Sequence, residues 1–358
     1  MKSRNKRIVL LAAIVAIVAL VWFGRHRIHF NWSVFAEQLR LADWRRIVFA
    51  LGCIYAGYFI RSIRWALLMR HNRKVGPLSL LGTQVIGFTA VGLIGRVADL
   101  VRPYLVAKKT GEPLSLQIAV YIVERLCDFG AMALITSTVI VLAPRGSLPH
   151  PEVLRKAGYW GLALTAAGAL FLVLVRLAGG MVGSLLGRGF GIVSKSAGAA
   201  VESKIHSFHS GLDTIRSFAD FAYTASLSLA MWVLIALAYL ETALAFVASP
   251  ELAAMTPAKA VLLMVVSGGA SVFQLPVLGW FVQIGVVEEA IRHFFAVSPE
   301  ASLGCAAALL LVTFLGIVPV GLVWARFDHV SLTKVTRESE HAGEELAHQV
   351  GGTPAQEV

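Results

Sequence analysis

Long apolar stretches constrain this chain more than any other feature of its sequence. A helix needs about 20 consecutive apolar residues to cross the hydrocarbon core of a membrane, and 57% of the 358 residues are hydrophobic. We therefore predict an all-α polytopic membrane protein. The apolar segments are Ile8–Phe23, Ile47–Met69, Leu78–Gly95, Leu116–Leu142, Tyr159–Leu177, Phe221–Val247, Ala260–Val287 and Ala301–Trp324.

The charge of the chain fits this class. The chain carries 32 Lys and Arg against 21 Asp and Glu, a net charge of +11. Basic cytoplasmic loops and anionic lipid head groups explain this excess, and no basic domain lies outside the apolar segments, so we expect no nucleic-acid partner. Cys53, Cys127 and Cys305 lie far apart in apolar segments and match no metal-binding spacing. We expect no disulfide, no metal and no cofactor.

The hydropathy predicts one transmembrane domain over residues 1–327. The basic stretch KSRNKR precedes the first apolar segment, and no small-residue cleavage site follows it, so we predict an uncleaved anchor helix. We predict that residues 178–220 form a cytoplasmic loop with an amphipathic helix. Residues 328–358 are polar, and we predict a disordered cytoplasmic tail there.

Two of the eight segments contain residues that break helices. Segment 78–95 holds four glycines, and segment 260–287 holds SGGAS followed by FQLPVLGWFVQIG. Each is either a kinked span or a re-entrant element that returns to the side it entered from. Two re-entrant elements leave six full spans and place both termini and most basic loops in the cytoplasm. The five arginines of residues 24–46 then lie outside, which counts against this topology.

If both interrupted segments are re-entrant, the chain forms an inverted repeat. Segments 47–69, 78–95 and 116–142 form one triplet, and segments 221–247, 260–287 and 301–324 form a second triplet that starts from the opposite side. Each triplet then has its broken element in the middle. Paired, interrupted segments of this kind indicate the binding site of a transporter.

Six ionisable residues lie inside predicted spans, and each would cost roughly 2.5–3.5 kcal/mol if it faced lipid at the midplane. Arg61 and Glu124 lie at similar depths, and Glu124 and Asp128 share a helix face. Arg61, Glu124 and Asp128 therefore form either a structural ion pair or part of a head-group or proton site. The six are Arg61, Arg64, Glu124, Arg125, Asp128 and Glu241.

The stretch GLIGRVADLVRPYLVAKKTGE places several charges directly after the first broken segment. Arg102 can bind a phosphate through two amines at once, and nearby glycines allow close approach of the backbone. The alternative is that Arg96, Arg102, Lys108 and Lys109 anchor the segment at anionic lipid.

The run GLIGRVADLVRPYLVAKKTGEPLSLQIAVYIVERLCD resembles the flippase-like family defined by the transmembrane region of lysylphosphatidylglycerol synthase. That family has a glycine-rich segment, an acidic residue, Arg-Pro-Tyr, and a Glu-Arg-x-x-Asp helix. The stretch FQLPVLGWFVQIGVVEEA resembles its second element, although many members have Gly-Gly and Arg-Glu where this chain has Gly279-Trp280 and Glu288-Glu289. The matching residues of the first motif are Gly92, Gly95, Asp99, Arg102, Pro103, Tyr104, Glu124, Arg125 and Asp128.

The resemblance implies a multi-pass inner-membrane protein that moves an anionic or isoprenoid-type lipid between leaflets. The sequence contains no aminoacyl-transferase domain, so we expect translocation without lipid aminoacylation. The candidate head-group residues are Arg61, Arg96, Asp99, Arg102, Tyr104, Glu124, Arg125 and Asp128. Those of the second element are Gln274, Pro276, Gly279, Gln283 and Glu288.

Two other classes of function stay open at this point. A lipid enzyme would need an acid–base or metal constellation, and the sequence offers no paired-aspartate motif and no P-loop, so we expect no enzyme. A scaffold for lipid-synthesis enzymes is the third class. We expect membrane lipids as partners, and lipid-synthesis enzymes as candidate protein partners.

Overall fold

The computed structural model describes residues 30–144, 146–191, 218–271 and 278–351, and these ranges contain helices and short connections without a strand. In chain order the elements are α1 (Trp32–Leu41), α2 (Trp44–Met69), α3 (Pro77–Ile94), a 3-10 turn (Arg96–Leu100), α4 (Val101–Thr110), α5 (Leu114–Leu142), α6 (Pro151–Gly191), α7 (Phe218–Leu244), α8 (Pro250–Ala253), α9 (Pro257–Ala270), α10 (Leu278–Phe295), α11 (Pro299–Leu310), a π turn (Leu311–Leu315), α12 (Ile317–Phe327) and α13 (Leu332–Gly351).

Five helical stretches in these ranges are long and apolar enough to cross a membrane, which confirms the predicted all-α polytopic class. They belong to α2, α3, α5, α7 and the continuous run from α11 to α12. The first apolar segment, Ile8–Phe23, lies outside the described residues. The segment Tyr159–Leu177 lies within the 41-residue helix α6.

Capping residues and prolines fix where the helices begin. The side chain of Asn31 accepts from the backbone N–H groups of Ser33 and Val34 at the start of α1, and the side chain of Asp43 accepts from Arg45 at the start of α2. Proline occupies the first turn of α3, α9 and α11. Proline has no N–H to donate, and the first turn is the part of a helix that requires none.

Segment 78–95, which was predicted to be interrupted, is one continuous helix, α3 (Pro77–Ile94). Together with the turn and α4 it forms a helical hairpin, here called the first hairpin (Pro77–Thr110). Helix α3 ends at Ile94, and the chain turns at Gly95, whose φ of 93° favours glycine. Helix α4 then runs back along α3, as the 3.0 Å hydrogen bond from Arg102 to Gln84 shows. The guanidinium of Arg73, before α3, donates to the carbonyl of Thr110 at the end of α4. Both ends of this hairpin therefore lie beside the end of α2.

The second broken segment forms two helices that pack on each other, α9 and α10, here called the second hairpin (Pro257–Phe295). The amide of Gln283 donates to the Ser267 hydroxyl across the two arms at 3.0 Å. The Lys259 ammonium, at the start of α9, lies 5.5 Å from the ring centre of Phe295 at the end of α10. Both ends of this hairpin also lie on one side. Residues 272–277, between the arms, are outside the described ranges.

The two hairpins open at opposite ends of the molecule, because α2 and α7 pack antiparallel. The Asp43 N–H donates to the Ala245 carbonyl at one end of this pair, at 2.8 Å, and the Arg70 guanidinium contacts Asp220 at the other. The first hairpin opens at the Met69 end of α2, and the second opens at the Leu244 end of α7. The Trp280 indole N–H donates to the Gly92 carbonyl at 3.1 Å, so the two hairpins meet.

Helices of the two triplets pack on each other. Helix α3 of the first hairpin packs on α12, the last helix of the second triplet, and α9 of the second hairpin packs on α5, the last helix of the first triplet. The opening helices α2 and α7 pack on each other along their length.

Two predictions about the segments outside the core are wrong. Leu332–Gly351 is a helix and not a disordered tail, because its buried residues Val335, Thr336 and Ser339 recur at helical spacing. Val335 packs in one cluster with Val101 and Leu105 of α4. Residues 178–191 continue helix α6 instead of starting a loop. Residues 192–217, which hold most of the predicted amphipathic helix, lie outside the described ranges.

Candidate functional site

Six charged side chains meet between α2, α4 and α5, and we call them the guanidinium cluster. Five of the six side chains are at most 10% exposed, and Arg125 is 31% exposed. Charged groups are almost never buried to this extent unless they are paired. The six members are Arg61, Arg64, Arg102, Glu124, Arg125 and Asp128.

Helical spacing explains how two helices supply most of the guanidinium cluster. Glu124 and Asp128 are four residues apart on α5, and Arg61 and Arg64 are three apart on α2, so each pair shares one helix face. Arg64 bridges both carboxylates, with Nη2 2.7 Å from Glu124 Oε1 and Nη1 2.5 Å from Asp128 Oδ1. Arg61 Nη1 lies 3.2 Å and 3.3 Å from the same two carboxylates.

The first hairpin adds Arg102 to the cluster. Its Nη1 donates to Gln84 Oε1 and to Glu124 Oε1, each at 3.0 Å. The backbone of α4 can approach α3 this closely because residue 87 is glycine: a Cβ there would lie only 3.3 Å from the Cα of Arg102. Arg102 is thus a buried residue that joins the hairpin to α5, which the interface-anchor alternative does not explain.

Aromatic rings enclose the Arg102 guanidinium. Its central carbon lies 5.1 Å from the ring centre of Trp65, 4.7 Å from that of Phe88 and 5.1 Å from that of Tyr121. The faces of such rings attract cations. The rings therefore stabilise positive charge without neutralising it.

Arginines exceed carboxylates in the guanidinium cluster. It holds four arginines and two acids, so among the described residues its net charge is 4 − 2 = +2. Because an uncompensated charge away from water is costly, this arrangement is suited to bind an anion. The described residues contain no group of His, Cys, Asp and Glu that could hold a metal ion.

The structure places the other residues of the first motif near the cluster's hairpin but in different roles. The Tyr104 hydroxyl donates to Glu338 of α13 at 3.0 Å, away from the carboxylates of α5. Asp99 lies in the turn Arg96–Leu100. The side chain of Arg96 lies outside the described part of the chain.

The second hairpin carries a neutral polar group at the corresponding place. Gln283 on α10 is buried and donates to the Ser267 hydroxyl on α9, and the Tyr239 hydroxyl of α7 lies near Ser267 and near Thr313 in the π turn. Both arms of the hairpin, the opening helix and the closing helix contribute, as in the first half. We call these four residues the neutral cluster.

The remaining predicted residues of the second element do not join the neutral cluster's hydrogen bonds. Gly279 is buried near the start of α10, and Glu288 lies 3.7 Å from Arg292 one turn along the same helix. Gln274 and Pro276 lie outside the described residues. The partly buried carboxylate of Glu241 pairs with Arg46 at 2.6 Å, at the Leu244 end of the molecule.

Arg64 was not among the candidate head-group residues predicted from the sequence, and two neutral partners of the guanidinium cluster, Gln84 and Ser228, were missed. Arg64 lies three residues from Arg61, and this spacing was a signal for a shared site. Gln84 was visible as an amide inside an apolar segment. Ser228 of α7 accepts from Arg64 Nη1 at 2.5 Å, and no spacing pattern marks it, because it belongs to the other triplet.

Comparison with known proteins gives one match. A family model described as lysylphosphatidylglycerol synthase TM region matches residues 9–321. No curated protein matches the chain, and no solved structure matches it. The family match covers α1 to α11, the π turn and part of α12, and therefore both hairpins and both polar clusters. The chain is therefore a multi-pass membrane protein that belongs to the lysylphosphatidylglycerol synthase TM region family.

Proposed function

We propose that this protein moves an anionic or isoprenoid-type lipid between the leaflets of the inner membrane, and that the guanidinium cluster binds the lipid head group. The observation that supports this most directly is the buried net charge of +2 beside the first hairpin. A lipid phosphate would neutralise part of that charge, and arginine suits phosphate because its planar fork can donate two parallel hydrogen bonds.

The two hairpins supply a way for the head group to cross. In this proposal they are re-entrant, each covers part of the membrane thickness, and their contact between Trp280 and Gly92 separates the two sides. Interrupted helices that enter from opposite sides form the substrate sites of several transporter folds. The protein would expose the site to one leaflet and then to the other by moving one hairpin against the other helices.

We assign the Met69 end of the molecule to the cytoplasm, together with both termini. Five basic residues cluster at that end, and cytoplasmic loops are enriched in Lys and Arg. The five are Arg70, Arg73, Lys74, Lys108 and Lys109.

The proposal includes no covalent change of the lipid. Arginines bind and orient a phosphate but do not attack it, and the cluster's carboxylates are bound to guanidinium groups. Lipid-synthesis enzymes are the proposed protein partners, since they would supply or consume the transported lipid. A scaffold for those enzymes would need no lipid movement of its own.

Reconstituted vesicles test the proposal through Arg102. Purified full-length protein is placed in vesicles with a fluorescent anionic lipid, and chemical quenching of the outer leaflet measures exchange. Arg102→Lys should slow exchange at least tenfold, because loss of one charge-assisted hydrogen bond costs about 1.5–3 kcal/mol. Lys108→Ala, which removes an exposed cation from the same helix, should exchange lipid at the wild-type rate.

The outcomes separate the three classes of function. Exchange with chemically unchanged lipid supports transport, and a new lipid product in mass spectrometry supports an enzyme. If the protein gives no exchange and no new product, the scaffold function is supported. If Arg102→Lys protein has the wild-type melting temperature and the wild-type exchange rate, the head-group role of Arg102 is wrong.

A further inference from the structure

We infer that the lipid bound by the guanidinium cluster ends in a terminal phosphate with two negative charges, as a phosphomonoester does, and that it reaches the cluster past Arg125. This inference rests on the proposed function and narrows the substrate class within it. It follows from the unequal number of donors and acceptors in the cluster, and from the face of α5 on which Arg125 lies.

Hydrogen-bond donors exceed acceptors in the cluster. Four guanidinium groups offer about 20 N–H donors, whereas two carboxylates accept about eight. In the described part of the chain, the guanidinium groups of Arg61, Arg102 and Arg125 each use a single terminal amine for their carboxylate and amide partners. The cluster therefore has donors left for several oxygens of a ligand.

Some of the spare donors are fully buried. Arg64 Nε, Arg125 Nε and Gln84 Nε2 have no hydrogen-bond partner among the described residues, although water does not reach them. Leaving a buried donor unpaired costs about 1–3 kcal/mol. One acceptor, Glu124 Oε2, is also unpaired, and it can satisfy only part of this surplus. An anion with several oxygens satisfies the rest.

The charge indicates a dianion. The cluster has an excess of two positive charges, and a terminal phosphate carries close to two negative charges at pH 7 because its second pKa is about 6. A phosphodiester carries one negative charge, so it would leave one guanidinium uncompensated in a low-dielectric site. A zwitterionic head group would leave both.

Arg125 connects the buried cluster to an apolar outer surface. It is the most exposed member of the cluster, and its Nη2 contacts Glu124 and Asp128 at 3.0 Å and 2.9 Å. Ile122 and Phe129, three residues before and four residues after it on the same face of α5, are 46% and 64% exposed. Acyl or isoprenoid chains can lie along these two side chains while the phosphate contacts Arg125. This geometry favours a lipid over free phosphate.

The test compares four probes on purified full-length protein in detergent at pH 7.5. They are phosphatidic acid, phosphatidylglycerol and phosphatidylcholine with identical acyl chains, and inorganic phosphate. We expect phosphatidic acid to bind at least tenfold more tightly than phosphatidylglycerol, since one further charge-assisted interaction is worth about 1.5–3 kcal/mol. The ratio of phosphatidic acid affinity to phosphatidylglycerol affinity should decrease at pH 5, where the phosphomonoester loses its second negative charge. Phosphatidylcholine and inorganic phosphate should bind more weakly than both anionic lipids.

A variant pair tests the role of Arg125. Arg125→Gln removes one positive charge and should reduce the ratio of phosphatidic acid affinity to phosphatidylglycerol affinity towards one. Arg45→Gln, which removes an exposed arginine at the opposite end of α2, should keep the wild-type ratio. If Arg125→Gln does not fold, the ranking of probes on the wild-type protein still decides the question.

The results separate this inference from the proposed function. Equal binding of the two anionic lipids, with lipid exchange intact in vesicles, overturns the dianion inference and leaves the flippase proposal standing. Inorganic phosphate that binds as tightly as phosphatidic acid shows a free anion site and overturns the lipid assignment. Absence of both lipid binding and lipid exchange overturns both proposals.

Discussion

Glu124 shows at the scale of one residue how this fold keeps charge away from lipid. Its Oε1 atom lies within 3.2 Å of all four arginines of the guanidinium cluster, while the carboxylate is almost fully buried. A single carboxylate therefore balances charge delivered by α2, α4 and its own helix. Removing its charge would leave the four arginines opposed by Asp128 alone.

We expect Glu124→Gln to lower the free energy of unfolding by about 3–5 kcal/mol, because breaking a buried ion pair leaves uncompensated charge. Removing Arg61 as well should cost less than the sum of the two single changes, with a coupling of at least about 1 kcal/mol. Detergent-phase unfolding of the two single variants and the double variant measures this. Glu37→Gln, at an exposed position on α1, is the control and should stay within about 0.5 kcal/mol of wild type. Additive effects of the first pair would show that the two residues do not interact.

At the scale of single residues, helical spacing and depth in the membrane predicted part of the guanidinium cluster. The similar depths of Arg61 and Glu124 predicted that they interact, and Arg61 Nη1 lies 3.2 Å from Glu124 Oε1. The contacts of Arg102 with Gln84 and of Arg64 with Ser228 were not predicted. Each depends on how a hairpin arm or a second triplet docks, and a single sequence carries no local signal for docking.

At the scale of elements, α13 shows how a polar average can hide an amphipathic helix. The tail is rich in charge, yet Val335, Thr336 and Ser339 form one buried face. That face covers α4 and the turn Arg96–Leu100, and Glu338 holds Tyr104. The periodicity was present in the sequence, but the prediction of a disordered tail used composition alone. The glycines of segment 78–95 were a misleading signal for a break inside that segment, because α3 is continuous through Gly82, Gly87 and Gly92 and the chain turns only at Gly95.

We predict that Val335→Asp detaches α13 from the first hairpin, since a carboxylate placed among Val101 and Leu105 would be buried without a partner. Limited proteolysis should then cut at Lys334 and Arg337 at least tenfold faster than in the wild type. A tenfold increase corresponds to a free energy of local opening that is lower by about 1.4 kcal/mol. His341→Asp adds the same charge at an exposed position of α13 and should keep the wild-type rate. Equal cleavage of the two variants would contradict the docking of α13 through Val335.

At the scale of the whole molecule, the antiparallel packing of α2 and α7 decides the relation of the two hairpins. Hydropathy predicted two triplets of opposite orientation, and the contacts of Arg73 with Thr110 and of Lys259 with Phe295 place the openings of the hairpins at opposite ends. Which helix faces pack on each other could not be predicted, because lipid-facing and protein-facing residues are equally apolar in a membrane.

A labelling experiment tests this arrangement in cells. In a variant with Cys53, Cys127 and Cys305 replaced by alanine, single cysteines are placed at Ser33 and at Lys109, both exposed. A membrane-impermeant maleimide added from outside should modify the cysteine at position 33. The cysteine at position 109 should react only after the membrane is opened. Modification of both from outside would reject the proposed topology.

The difference in charge between the guanidinium cluster and the neutral cluster has a kinetic consequence for a lipid carrier. A carrier without an energy source obeys detailed balance, so unequal half-sites cannot make lipid accumulate in one leaflet. They instead create a deep resting state on the charged side, from which the head group must escape to the neutral side. Turnover is then fastest at an intermediate affinity, because a site weakened by Arg102→Lys captures the head group too rarely, whereas a site that binds too tightly releases it too slowly.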